Sequence, residues 1–492
     1  MKLSKIGKLK KLGNWAIFIL IILSTLLYSF IHWQKHIHFQ TFGWDTSVFD
    51  QQVYLAGKFM EPYSSLMKMN ELGDHFHPLV LLFGGILYAF WSDPRSLFIL
   101  ESLLVCLSAF PLYLLSMHLF KKSALPQWGI IVVSLSLCMM YLFSVPFQAM
   151  VLDEFHEDPL VSLPIIFMIY FLVTKKSLSF WIAYLFVLLT KEEYGLWGIS
   201  LGIYIVLLTK EFKKGLLTAA IGISVFFLLI FYVMPAFSKS SQYAHFRNEN
   251  KPTFIIQKLI GDPTLVLTEL IDHPKKRETI KVSLLSYGLL PLLSPVNLIL
   301  PLTSIGIRFY DTTTVRRYEF NNHYASPLIP FLAIASAFGL FNAFSYLTKR
   351  KKIKMSILAP LIVVFIATVS IGQDILFHGP INSIFKKSFY ETQNWEYDAQ
   401  ELINRVPKEE VIATQNSLLP HLSQRKSFFL LPEIGDAKFI AVDLEDGPNK
   451  FAPVLHDDIK KLVQGLIDDN AFEVVWKKNN ALLLKKKIIL PS

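Results

Sequence analysis

Apolar runs separated by short basic or acidic punctuation dominate the first three quarters of the chain. Asn14–Trp33 is long enough to cross a bilayer, and Lys2, Lys5, Lys8, Lys10 and Lys11 precede it. Lysines before a first span hold its start in the cytoplasm, so Phe42–Pro78 should emerge on the outer side. Pro78–Trp91 is short for a span, at roughly 14 residues against the ~20 needed. It reads as an interfacial or re-entrant helix, because crossing there would invert every later basic loop. Ser96–Phe120 then returns inward to Lys121 and Lys122, and Trp128–Val145 leads out to the acidic tract Asp153–Asp158.

The alternation continues through Leu160–Thr174, Leu178–Leu189, Leu196–Leu208 and Leu216–Met234. A polar loop, Ser238–Glu278, should lie outside. Val282–Leu300 contains Pro291 and Pro295, with Pro301 just after, and predicts a broken helix pair. Arg308–His323 reads as an outer loop. Tyr324–Tyr346 leads in to Lys349–Lys354, and Ser356–Ile371 leads out again. The expected architecture is a polytopic α-helical membrane protein of about 11 transmembrane helices. The membrane part covers residues 1–373, with residues 33–95 forming the first outer loop and its interfacial helices.

From residue 374 to 492 the pattern changes. Val411–Ala413, Phe428–Leu431 and Phe439–Val442 are short β-type runs, and Ile459–Ile467 is an amphipathic helix. Phe472–Trp476 and Ala481–Leu484 read as a terminal hairpin. These predict a small α/β domain on the outer, extracytoplasmic face. Asp443 would sit where a strand of such a domain ends, a usual ligand position, although a loop aspartate is the plainer reading.

Composition agrees: 53% of the 492 residues are hydrophobic and mean hydropathy is +0.43, which excludes an ordinary soluble enzyme. The net charge of +10 comes from clusters between spans, not from one basic face, so no nucleic-acid partner is expected. Cys106 and Cys138 lie inside apolar runs and imply no disulfide framework.

The candidate chemistry falls in the predicted outer segments. Asp45 and Asp50 open the first of them, as N-cap and first-turn residue of a helix or as reactive carboxylates. His75 and His77 are two apart in Gly73–Pro78, positioned to contact substrate, share a metal, or cap a helix entry. Asp153–Asp158 places five ionisable groups in six residues. A divalent ion such as Mg or Mn, held by Glu154, His156 and Asp158, would offset their repulsion. Lys191 and Glu192 sit in a tight turn between two short apolar runs, and Lys191 suits a phosphate as a point charge. Arg316 and Arg317, like Arg308, present guanidinium forks of the kind that match phosphate oxygens, and His323 and Tyr324 adjoin them.

An acidic residue in the first outer loop, a second acidic motif in the next, irregular short spans and a terminal soluble domain together resemble the GT-C superfamily of membrane glycosyltransferases. The run Phe42–Gln51, then His75–Pro78, Phe155-His156, Lys191-Glu192 and His323-Tyr324, resembles a bacterial membrane family, the domain of unknown function 2079. The GT-C resemblance implies transfer of a sugar from a polyprenyl-phosphate donor to an envelope acceptor (glycan, lipid or protein) outside a bacterial inner membrane. It implies a general base at Asp45, with Asp50 as the rival. It also implies a second acidic motif at Asp153–Asp158, where some members bind a divalent metal and others do not; this chain lacks an Asp-x-Asp. Lys191 and Arg316 or Arg317 would meet the lipid phosphate. The competing readings are a membrane transporter and a non-catalytic envelope assembly protein. Against a transporter stand the absence of a hydropathy repeat and the gathering of polar groups on one side.

Overall fold

The structure, a computed structural model, describes residues 2–238, 261–310, 314–349, 355–447 and 450–487. The basic cluster Lys349–Lys354 and most of the Ser238–Glu278 loop lie outside the described residues, apart from their helical flanks.

The first helix, α1, spans Lys2–Ile37. After a wide turn, Gly43–Ser47, comes α2 (Val48–Gly57). A two-stranded antiparallel ribbon follows, β1 (Tyr63–Ser64) with β2 (Met69–Asn70). Next are α3 (Pro78–Phe90), α4 (Pro94–Leu107), α5 (Ala109–Phe120), α6 (Gln127–Leu142) and α7 (Val145–Val151). Then come α8 (Ser162–Val173), α9 (Ser177–Leu188), α10 (Trp197–Thr209), α11 (Phe212–Leu228) and α12 (Met234–Ser238). The series continues with α13 (Pro263–Glu269), α14 (Pro274–Leu285), α15 (Ile299–Phe309), α16 (Leu328–Lys349) and α17 (Met355–Phe377).

Among the described residues, five helical stretches are long and apolar enough to cross a membrane. They are Gly7–Ile37, Pro94–Phe120, Phe212–Ser238, His323–Thr348 and Ile357–Phe377. A sixth arises if α6 and α7, bent by 55°, count as one. Four shorter apolar helices, Pro78–Phe90, Asp158–Val173, Ser177–Leu188 and Pro295–Phe309, pack with them, as does the apolar α10. The predicted elements are therefore found, with α3 short as expected, and the total of about 11 spans depends on which short helices cross.

Irregular backbone at membrane depth needs partners, and each break has them. At the α6–α7 bend, Gln373 of α17 accepts from the Val145 amide (2.8 Å) and donates to the Phe143 carbonyl (2.8 Å). The predicted Pro291–Pro301 break is narrower than expected. The chain turns through Leu290–Leu293 and Pro295–Leu298, and α15 resumes at Ile299 with Pro301 inside its first turn. There the Leu293 carbonyl accepts from Asn342 (3.0 Å), and Asn297 accepts from the Tyr204 hydroxyl (2.8 Å). Helices α10 and α11 pack at glycine contacts. A Cβ on Gly202 would lie 2.5 Å from the Gly215 carbonyl oxygen, so no larger residue fits without separating the helices.

The C-terminal part contains α18 (Asn394–Arg405), β3 (Ile412–Thr414), β4 (Phe428–Leu430), β5 (Phe439–Asp443), α19 (His456–Asp468), β6 (Phe472–Lys478) and β7 (Ala481–Lys486). The strands form one sheet in the order β4-β3-β5-β7-β6. The first three are parallel; β7 and β6 add antiparallel. The predicted strands, helix and hairpin are all present. Helix α18, opened by a reciprocal Gln393–Glu396 capping box, was not among the predictions. One of the two apolar clusters flanking the sheet takes in Phe39 and Leu66, so this unit is seated on the first loop.

Candidate functional site

The turn Gly43–Ser47 carries Asp45, and its shape is held by Glu154. The Glu154 Oε2 atom accepts from the Phe42 amide (3.0 Å), the Thr46 amide (3.2 Å) and the Thr46 hydroxyl. A second anchor comes from the C-terminal unit, where Asn416 Oδ1 accepts from the Gly43 amide at 2.7 Å. Asp45 is thereby presented with its side chain 20% exposed. Its Oδ1 lies 3.5 Å from His156 Nε2, and its Oδ2 lies 3.6 Å from the Arg316 guanidinium.

The bend before α7 brings Asp153 to the same place. Lys35 of α1 caps the end of that helix, donating to the carbonyls of Leu152 (2.6 Å) and Asp153 (3.0 Å). His32 bonds the Val151 carbonyl. The Asp153 carboxylate accepts from Arg316 (3.2 Å), the His323 amide (3.0 Å) and His323 Nδ1 (2.8 Å). His323 stacks on His156, with ring centroids 3.4 Å apart. Arg316 is half exposed and bridges Asp45 and Asp153.

The charges settle as this geometry dictates. Burial raises the Asp45 carboxyl, but His156, then His323 and Arg316, outweigh it and hold the group below the usual carboxylate range. Burial opposes charge on His156, yet Asp45 and Glu157 raise its pKa well above the ordinary value. Glu154 is pushed up to about 7, by burial and then by the Asp45 charge.

The other candidates form a second, inner network. Lys191 Nζ lies 2.6 Å from Glu157 and 2.8 Å from Asp158, and Asp158 also accepts from the Tyr194 hydroxyl (2.8 Å). Glu192 accepts from His75 Nδ1 and from the Phe76 amide, both at 2.9 Å, tying the first loop to the turn before α10. His77 is fully buried against Gln52 (2.8 Å). Arg317 lies over the Tyr324 ring, 5.0 Å from its centroid. Arg308 donates to the carbonyls of Arg317 (3.1 Å) and Glu319 (2.8 Å), folding the Arg316 turn into position.

Several sequence expectations are corrected by this arrangement. Asp50 is not in the cluster: it is fully buried and accepts from Tyr88 (2.6 Å), Ser423 (2.5 Å) and Gln424 (3.0 Å). His75 and His77 do not converge, because one faces Glu192 and the other Gln52. Lys191, expected to meet a phosphate, lies between two buried carboxylates, Glu157 and Asp158, that already balance its charge. Glu154, His156 and Asp158 do not form a ligand set: Glu154 serves the Asp45 turn and Asp158 serves Lys191. The donors that converge are Asp153, His156 and His323, within 4.8 Å of one another. One carboxylate with two imidazoles suits Mn²⁺ better than Mg²⁺, which prefers oxygen ligands. Asp153, Lys35, Glu157 and Asn416 were not singled out from the sequence. Asp153 is one of several acids in its tract, and the roles of the others depend on partners far away in the chain.

In fold, the chain resembles ArnT from Cupriavidus metallidurans bound to undecaprenyl phosphate. The TM-score is 0.54 at 11% identity, covering 96% of this chain and 98% of that one. ArnT in the apo state gives a TM-score of 0.51, also at 11% identity, with 96% and 97% covered. These likenesses are of fold, over nearly the whole of each chain. No curated protein matches the chain. The family model described as "Predicted membrane protein (DUF2079)" matches residues 35–483, and the chain belongs to that family.

Proposed function

We propose that the protein is an integral membrane glycosyltransferase. It moves a sugar from a polyprenyl-phosphate donor to an envelope acceptor, on the extracytoplasmic side of a bacterial inner membrane. In this reading the N-terminus is cytoplasmic, and the loops carrying Asp45, Asp153, Arg316 and His323 lie outside with the C-terminal unit. The observation that carries it is the partly exposed Asp45 facing the half-exposed Arg316 at 3.6 Å, at one end of an ArnT-like bundle. The ArnT structure holds undecaprenyl phosphate, the chemistry that a guanidinium at that position complements.

The reaction balances with these groups. The acceptor hydroxyl oxygen bonds to the anomeric carbon, and its proton passes to Asp45. The bond from that carbon to the phosphate oxygen breaks, and its electron pair leaves with the polyprenyl phosphate. Arg316 meets the charge that gathers on the leaving oxygen. Attack opposite the leaving group inverts the anomeric centre. His156 and Arg316 keep Asp45 ionised before the proton moves. A metal, where bound, would be held by Asp153, neutral His156 and His323, and would supply in place of the His156 proton the positive charge beside Asp45 and the phosphate.

The test is turnover of radiolabelled polyprenyl-phosphate sugars by the full chain in nanodiscs, following release of free polyprenyl phosphate. Asp45→Asn should lower the rate by roughly 10²–10⁴-fold, with thermal melting unchanged. Wild-type turnover undiminished in the variant would remove Asp45 from the chemistry. Absence of donor binding by native mass spectrometry would overturn the glycosyltransferase reading itself.

A further inference from the structure

A cavity of about 650 Å³ separates the C-terminal unit from the ends of the first helices. It is distinct from the Asp45 site, and its wall includes His421, Gln424 and Arg425. Its charges are unbalanced. Arg95 is neutralised by Asp93, which takes both its Nε (2.7 Å) and its Nη2 (2.5 Å). Lys58 and Lys408 also line the cavity, and among the described residues neither forms an ion pair with a carboxylate; Arg425 is buried in the wall and donates to the carbonyls of Leu422, Pro407 (3.3 Å) and Glu410 (2.7 Å). Glu409 is the other acid at its edge. The excess of positive charge calls for an anion.

The surroundings say which kind. The apolar helices α1 and α3 end beside the cavity, at Ile37 and Phe90. Ile37 lines it at 40% exposure; Phe90 and Trp91, just before lining residue Ser92, are 87% and 40% exposed. Exposed apolar and aromatic side chains at the end of an apolar helix mark the level of the bilayer surface. A cationic recess at that level, opening over apolar side chains, matches an amphiphile and not a free ion.

We propose that this cavity binds the headgroup of an anionic phospholipid, with its phosphate facing Lys58 and Lys408 and its acyl chains passing out over Ile37 and Phe90. The lipid then braces the C-terminal unit against the membrane surface. It also touches the Asp45 region through one element: α2 follows the Asp45 turn and ends at Gly57, next to Lys58, and Gln424 of the cavity wall donates to Asp50 on the same helix (3.0 Å). The inference stands on the cavity alone and does not require the glycosyltransferase reading.

The experiment is native mass spectrometry of the full chain in detergent. Phosphatidylglycerol and phosphatidylcholine with identical chains are offered together, and free glycerol 3-phosphate serves as a competitor. Wild type should retain phosphatidylglycerol at least about tenfold over phosphatidylcholine. The double variant Lys58→Glu/Lys408→Glu should lose that preference. Lys387→Glu, at an exposed lysine elsewhere, should keep it. Lys58→Gln/Lys408→Gln, checked for an unchanged melting temperature, should give an intermediate preference and guards against misfolding of the charge reversals. Equal retention of both lipids by wild type, or an unchanged preference in folded double variants, would overturn the proposal. So would displacement of the lipid by equimolar glycerol 3-phosphate, which would reassign the cavity to a soluble phosphate.

Discussion

Replacing Asp50 by alanine separates the two carboxylates of the first loop. Asp50 is fully buried, with Tyr88 and Gln424 on one oxygen and Ser423 on the other. Burial pushes its carboxyl up to about 6 against an ordinary 3.8, even with those three donors lowering it. That shift means the ionised form costs the fold about 3 kcal/mol at neutral pH. Alanine removes this cost but leaves three donors without an acceptor, at about 1–3 kcal/mol each. The net loss is about 3 kcal/mol, or roughly a hundredfold in the equilibrium between docked and undocked C-terminal unit. Limited proteolysis between α17 and α18 reads that equilibrium, because cleavage there requires opening. The pH dependence has a definite sign. A carboxyl raised on folding gives stability that is complete below pH 3.8 and is lost as pH rises through about 6. Wild type should therefore resist protease better at pH 5 than at pH 7, and Asp50→Ala should lose most of that difference. If Asp50→Ala resists protease like wild type while turnover disappears, the structural assignment of Asp50 is wrong and it belongs with Asp45 in the chemistry.

Other residues give sharper contrasts. Arg316→Ala should weaken binding of a polyprenyl-phosphate ligand by about 10–100-fold with the melting temperature held, while Arg316→Lys recovers part of it; isothermal titration checks both. Lys191→Met should remove the cation between two buried acids, Glu157 and Asp158, at a cost of about 3–5 kcal/mol, seen as loss of the monodisperse peak on gel filtration. Donor affinity lost from a well-folded Lys191→Met would instead restore its phosphate role. Glu154→Ala removes the acceptor for three donors of the Asp45 turn, so it should cut turnover while leaving donor affinity within about twofold, and Glu154→Gln should recover most of the rate.

These residues also show where sequence reading stops. The long spans and the C-terminal strands are legible because their signals, a sustained apolar run or a short β-branched one, lie within one segment. The α6–α7 bend is not, since Gln373, which satisfies its backbone, lies far along the chain. Helix α18 was legible in principle, since Trp395, Ala399, Leu402 and Ile403 recur at helical spacing and pack under the sheet. The carboxylates were legible as a group and not as individuals. Asp45 and Asp50 are five positions apart on similar backbone, yet one faces Arg316 and the other the Ser423 hydroxyl. Asp153 and Asp158 bracket one tract, yet one meets Arg316 and His323 and the other Lys191 and Tyr194. In each pair the partner decides the role. Neutralisation by buried groups makes an acid part of the fold, as with Asp158. Partial exposure beside a cation that solvent also reaches leaves it available for chemistry, and Asp45 beside Arg316 meets both conditions.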